Sequence, residues 1–223
     1  MGEHLDGLIV ASPSNPVGAV VPEAELRALM GYCRERGIRF VSDEIYHGIT
    51  YGVTAATAAA IDDQAIVVNS FSKYFSMTGW RLGWLVVPAD LLQPIERLAQ
   101  NLFISPPTLS QFAGVAAFDA QEECQANVRR YAANRALLLN DLPGAGFDKL
   151  IATDGAFYIY ADVARLTNDS VEFCRRMLME TGVAATPGVD FDSARGRATM
   201  RFSFAGSTAD MAEAVKRLTA WRK

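Results

Sequence analysis

The sequence predicts an α/β fold: part of a mostly parallel large-domain sheet with flanking helices, followed by a smaller α+β domain. Three observations carry this reading. Short apolar runs recur at 5–11, 38–42 and 65–69, a helical periodicity separates the first two, and amphipathic helical patterns take over beyond Pro88. The chain has 223 residues, half of them apolar, enough for one large or two small cores.

Taken in order, LDGLIVA (5–11) reads as a short buried strand and SPSNPVG (12–18) as a loop of turn residues. A helix follows, with Pro22 at its first position, Leu26, Leu29, Met30 and Cys33 at helical spacing, and Gly37 suited to the left-handed conformation past its end. IRFVS (38–42) completes a strand–helix–strand unit, which requires parallel pairing and a right-handed crossover. AIVVN (65–69) is the next strand. LGWLVV (82–87) follows it too closely for a helical crossover and is predicted to run antiparallel.

From Pro88 the pattern is helical, through ADLLQPIERLAQNLF and then a long stretch that Pro143 and Gly144 end. GAFYIYADV (155–163) and RATMRFSFA (197–205) read as strands, flanking a helix capped by Ser170. Ser207 caps the last helix. A domain boundary is expected near 125, giving a first domain over 1–125 and a second over 126–223.

A formal net charge of −4 without a Lys/Arg cluster excludes an electrostatic footprint for nucleic acid or an anionic membrane. The three cysteines, Cys33, Cys124 and Cys174, are widely spaced within apolar helical patterns. They form neither a disulfide framework nor a metal set, which fits a reducing cytoplasm. No window approaches the roughly 18 uninterrupted apolar residues of a membrane span.

Ligands of open parallel sheets bind beyond the carboxyl ends of the strands. Three polar clusters fall there: SPSNP, SDEIY and NSFSK. Connectivity therefore brings Asn15, Asp43, Tyr46, Ser70, Ser72 and Lys73 to one edge. Lys73 stands apart from other charges, with none nearer than Asp63 and Arg81, and it is the only lysine before Lys149. A lysine amine beside a carboxylate and a phenol suits imine formation with a carbonyl, the chemistry by which pyridoxal phosphate is held. Asp43 would keep the pyridine nitrogen protonated, while Ser70 and Arg81 would hold the phosphate dianion.

SNPVG, SDEIYHGITY, SFSKYFSMTGWRLG, GAFYIY, TPGVDF and MRFSFA, in this order, resemble the fold-type I pyridoxal-phosphate enzymes of the class I/II aminotransferase group. The resemblance spans nearly the whole chain. It implies that Lys73 binds the cofactor covalently and shuttles the proton, and that Asp43 pairs with the ring nitrogen. It further implies that Tyr46 and Asn15 bond the phenolic oxygen, that Ser70, Arg81 and more weakly Ser72 bond the phosphate, and that Arg201, with Asn15, binds the substrate carboxylate. Amino acid and 2-oxo acid substrates and a homodimeric full-length form are also implied, and the Asn15–Pro16 bond is left open between cis and trans.

The sequence departs from the family pattern in two respects. Val17 stands where Thr is frequent. The long segment that family members carry ahead of SNP is absent, so the chain resembles the C-terminal portion of an aminotransferase, with impaired activity alone. Simpler roles stay open for several residues: a turn residue for Asp43, Asn15 and Gly79, a core tyrosine for Tyr46, an ion-pair partner for Arg81, and competition from Arg195 and Arg197 for the role of Arg201. His47 is read as a packed or surface histidine, and Phe71, Trp80 and Trp84 as core. A lyase on the same scaffold and a non-catalytic cofactor-binding module are the alternative functions.

Overall fold

A computed structural model describes residues 5–151 and 153–221. By its internal contacts the chain forms two compact units, the first comprising residues 1–14 and 19–125 and the second residues 15–18 and 126–223.

The first unit is built on a four-stranded sheet in the order β1 (Gly7–Ala11), β2 (Arg39–Asp43), β3 (Ile66–Ser70), β4 (Gly83–Val86). The first three strands are parallel, and β4 pairs antiparallel to β3, with Ser70 opposite Gly83. Helix α1 (Glu23–Glu35) supplies the crossover from β1 to β2, with Pro22 immediately before its first residue. Its Leu26, Met30 and Cys33 are buried against Phe40, Ala58, Ala65 and Val67. This spacing is one helical face meeting one sheet face.

Helices α2 (Ala89–Leu102) and α3 (Thr108–Ala117) follow. Leu98 and Leu102 of α2 are 60% and 76% exposed, and Leu109, Phe112 and Val115 of α3 are more than two-thirds exposed. A long helix, α4 (Gln121–Asp141), runs across residues 125 and 126, where the two units divide.

The second unit is an antiparallel sheet in the order β5 (Lys149–Ile151), β6 (Tyr158–Asp162), β8 (Thr199–Ser203), β7 (Thr186–Pro187). Helices α5 (Ser170–Thr181) and α6 (Thr208–Trp221) accompany it. Met200, Phe202 and Phe204 are buried, as their alternation predicts, whereas Arg201 is half-buried and Ser203 exposed. Phe147 packs edge-on against Phe202 and Phe173. Asn134, fully buried on α4, donates to the carbonyls of Phe204 and Gly206 and accepts from the Thr208 hydroxyl, so its polar atoms are satisfied inside the core.

Four expectations are corrected. The short strands β5 and β7 were not anticipated as strands. The cap of α5 is Asp169, whose carboxylate accepts from the Glu172 amide, while Ser170 is the first helical residue and its buried hydroxyl donates to the Gly196 carbonyl. Trp80 is 40% exposed on a 3-10 turn instead of lying in the core, and Trp84 is only half-buried. The predicted helical stretch after 111 is two helices, interrupted between Ala117 and Gln121.

All three cysteines are free and buried, and burial pushes each thiol up, Cys174 to about 11. Among the described residues no cluster of metal-ligating side chains occurs, and no helix is long and apolar enough to cross a membrane.

Candidate active site

The eight residues singled out from the sequence fall into two groups, each inside one unit. The first group is Asp43, Tyr46, Ser70, Ser72, Lys73 and Arg81. Parallel pairing sets Ala11 opposite Asp43 and Asp43 opposite Val68, so β1 and β2 finish abreast and β3 ends two residues further on, at Ser70. The ladder continues a step further, with the Ser12 amide on the Asp43 carbonyl and the Glu44 amide on the Val68 carbonyl. Chemistry-bearing side chains therefore emerge from one rim of the sheet.

Asp43 ends β2, and its Oδ1 accepts from the Ile45 amide at 3.1 Å, which fixes the carboxylate within a local turn. The turn after it is held by Glu44, a carboxyl only 2% exposed. Glu44 accepts from the Ser42 hydroxyl at 3.0 Å and the Ala58 amide at 2.8 Å, and its other oxygen lies 3.3 Å from His47 Nδ1. Burying a carboxyl without such partners is costly, so these contacts anchor the loop carrying Tyr46. His47 is thus packed, as expected, and its Nε2 is buried without a hydrogen-bond partner. Gly48, at φ +87°, lies so close to the Tyr74 ring that a Cβ there would come within 2.5 Å of it.

Tyr74 adjoins Lys73, so the two loops are pressed together. The Lys73 ammonium sits 5.7 Å from the Tyr46 ring centroid, and Tyr46 is 4% exposed. Lys73 is held from both sides in sequence by aromatic anchors: Phe71 packs against Phe75, Trp84 and Phe118 at 4.9–5.6 Å between centroids. Ser70 Oγ accepts from the Ser72 amide at 3.0 Å and lies 2.9 Å from the Ser72 hydroxyl, so these two hydroxyls form one small polar cluster. Arg81 has a left-handed backbone, φ 51°, rare outside glycine, and its Nη1 donates to the Thr78 carbonyl at 2.9 Å. Strained backbone of this kind gathers at functional segments.

The second group is Asn15 and Arg201. Arg201 Nη1 donates to Asn15 Oδ1 at 2.6 Å and Nη2 to the Thr186 hydroxyl at 3.2 Å, while its Nε is buried without a partner. The rings of Tyr158 and Phe191 lie 4.1 and 4.7 Å from the guanidinium carbon. Arg195 and Arg197 face elsewhere: Arg195 pairs with Asp162, and Arg197 with Asp169.

Asn15 opens the short segment 15–18 with a cis Asn15–Pro16 bond, and a second cis bond, Ser12–Pro13, precedes it in the chain. The Gly18 carbonyl accepts from the amides of Asp154 and Gly155 and from the Thr153 hydroxyl. Gly18 is at φ +72°, and a Cβ there would lie 1.7 Å from Thr153 Oγ1 and 2.4 Å from the Gly155 carbonyl oxygen. Gly18→Ala is therefore expected to cost about 3 kcal/mol, combining overpacking with left-handed strain. For a chain of this size that is a fall in Tm on the order of 6–12 °C, readable by thermal unfolding.

Sequence reasoning assigned no role to Glu44, Tyr158, Thr186 or Phe191. All four stand in the quoted motifs, Glu44 in SDEIY, Tyr158 in GAFYIY, and Thr186 and Phe191 in TPGVDF, and motif membership is the signal that could have found them.

The side chains present are of the types that pyridoxal phosphate would need: an amine for its aldehyde, a carboxylate for its pyridine nitrogen, a phenol for its phenolic oxygen, and hydroxyls with a guanidinium for its phosphate. The chain is similar to known proteins over nearly its whole length. It is 50% identical to the valine–pyruvate aminotransferase of Mycobacterium tuberculosis over 97% of this chain and 57% of that protein. A crystal structure of an aminotransferase from Mycobacterium tuberculosis superposes with a TM-score of 0.93 at 49% identity, over 97% of this chain and 57% of that one. The aspartate aminotransferase of Thermus thermophilus solved with maleate superposes at 0.87 and 34% identity, over 96% of this chain and 56% of that one. The chain thus spans a little over half the length of these relatives. The family profile described as aminotransferase class I and II matches residues 2–218, and the chain belongs to that family.

Proposed function

We propose that the full-length gene product is a pyridoxal-phosphate-dependent aminotransferase, moving an amino group from an amino acid to a 2-oxo acid. The observation that carries this reading is the gathering of Asp43, Tyr46 and Lys73 at one sheet rim, with the Lys73 amine 5.7 Å from the Tyr46 ring centroid. Pyridoxal phosphate, when bound, supplies an electron sink for negative charge developing at the substrate α-carbon.

The residues of the chain do the rest. Lys73 anchors the cofactor and moves the proton at the α-carbon, Asp43 keeps the ring nitrogen protonated, and Tyr46 and Asn15 bond the phenolic oxygen. Ser70, Ser72 and Arg81 bind the phosphate. Arg201, with Asn15, binds the α-carboxylate, a role supported by the partnerless Nε–H of an otherwise well-held guanidinium. On this reading residues 1–125 are part of the cofactor-binding large domain and 126–223 the small domain. A cytoplasmic homodimer is the expected form of the full-length protein, and the exposed apolar faces of α2 and α3 support burial in a larger assembly.

The relative named for valine and pyruvate makes that pair the first to assay. The test follows amino transfer from L-valine, L-aspartate and other amino acids to pyruvate and 2-oxoglutarate. Release of ammonia and a 2-oxo acid from a single amino acid would instead identify a lyase, and cofactor binding without turnover a non-catalytic module.

A further inference from the structure

Arg201 stands on β8 opposite Tyr160, and Thr186 pairs with it from the other side. Tyr158 is then its diagonal neighbour on the same sheet face, and Phe191 joins from the turn that follows β7. A guanidinium is planar. Aromatic rings attract it through its faces, whereas a carboxylate is bound in its plane by two parallel N–H groups. Here the Tyr158 ring is buried, and the guanidinium carbon lies over both Tyr158 and Phe191, at 4.1 and 4.7 Å. Asn15 and Thr186 each take one edge donor, and the Nε–H is unspent.

We infer that Phe191, together with Tyr158, occupies the faces of the Arg201 guanidinium and restricts it to edge-on recognition of a planar anion. Phe191 thereby selects carboxylates over tetrahedral anions such as phosphonates. A phosphonate places three oxygens in a pyramid, and at least one must rise out of the guanidinium plane toward a ring. Phe191 is a positioning residue in this account: it acts on the ligand through Arg201. The inference rests on the reading of Arg201 as the carboxylate-binding residue.

The test measures two dissociation constants by calorimetry on the full-length gene product loaded with pyridoxal phosphate. The probes are 2-methylalanine, which has no α-hydrogen and so associates without amino transfer, and its phosphonate analogue, whose amine and missing α-hydrogen are the same. The wild type should prefer the carboxylate. Phe191→Ala should weaken 2-methylalanine binding about three- to tenfold, the scale of one cation–π contact, and reduce the preference for it over the phosphonate. Phe191→Leu, which keeps the face covered, should retain the preference, and Phe191→Val serves if the alanine variant does not fold.

A preference unchanged in Phe191→Ala, alongside loss of binding in Arg201→Gln, would overturn the role of Phe191 and leave the carboxylate reading intact. Unchanged binding in Arg201→Gln would overturn the carboxylate reading itself, and the inference with it.

Discussion

Lys73→Ala and Lys73→Arg are both expected to abolish amino transfer in the full-length gene product and to remove covalent trapping of the cofactor by borohydride. Alanine removes the amine. Arginine keeps a cation that can stack on Tyr46, where the Lys73 ammonium now sits 5.7 Å from the ring centroid, but its guanidinium stays protonated and can neither attack a carbonyl nor carry the proton. The loss of proton transfer alone accounts for about 10²–10⁴ in rate. If Lys73 served only as a surface cation, arginine would restore function, so the pair of variants separates the two roles. Borohydride reduction of the wild type followed by peptide mapping gives an independent readout. The label belongs on Lys73, and its appearance on Lys149 or Lys216 in place of Lys73 would remove the mechanistic reading.

The position of Lys73 was legible because it depends on local pattern. A strand–helix–strand unit forces parallel pairing, parallel pairing aligns the carboxyl ends, and residues after β2 and β3 then share a rim whatever the rest of the chain does. The alternation that put Arg201 on the opposite face from Met200 and Phe202 is equally local. The missed features are those that local pattern does not determine. Strands of three and two residues, β5 and β7, are too short for any periodicity, and they exist because β6 and β8 offer edges to pair with. Asp169 and Ser170 are both good caps by type. The choice fell to Asp169 because the Ser170 hydroxyl is engaged with Gly196, 26 residues away in sequence. Trp80 is apolar and aromatic, but it ends a 3-10 turn directly before the left-handed Arg81 and stays 40% exposed. The surroundings of Arg201 come from positions 15, 158, 186 and 191, and only the folded second unit joins them.

Asp43→Asn is expected to leave the fold and cofactor binding largely in place while slowing amino transfer about ten- to a hundredfold or more. The structural contact of this side chain is the Asp43 Oδ1 bond from the Ile45 amide at 3.1 Å, and an asparagine carbonyl oxygen accepts it equally well. Strand β2 and the turn that Glu44 anchors should therefore be unchanged, and thermal unfolding should coincide with the wild type within experimental scatter. What asparagine lacks is the negative charge. In the proposed site that charge holds the pyridine nitrogen protonated, and a hydrogen bond to a charged group is worth about 1.5–3 kcal/mol. If that energy is expressed mainly where charge moves into the ring, each 1.36 kcal/mol lost slows the reaction tenfold, which sets the lower part of the expected range. The measurement pairs steady-state kcat with a cofactor titration. A large fall in kcat at nearly constant cofactor affinity is the expected signature, because the phosphate contacts proposed for Ser70, Ser72 and Arg81 would be untouched. Full turnover in the asparagine variant would mean that Asp43 is a turn residue after a strand, and that the ring nitrogen finds its charge elsewhere.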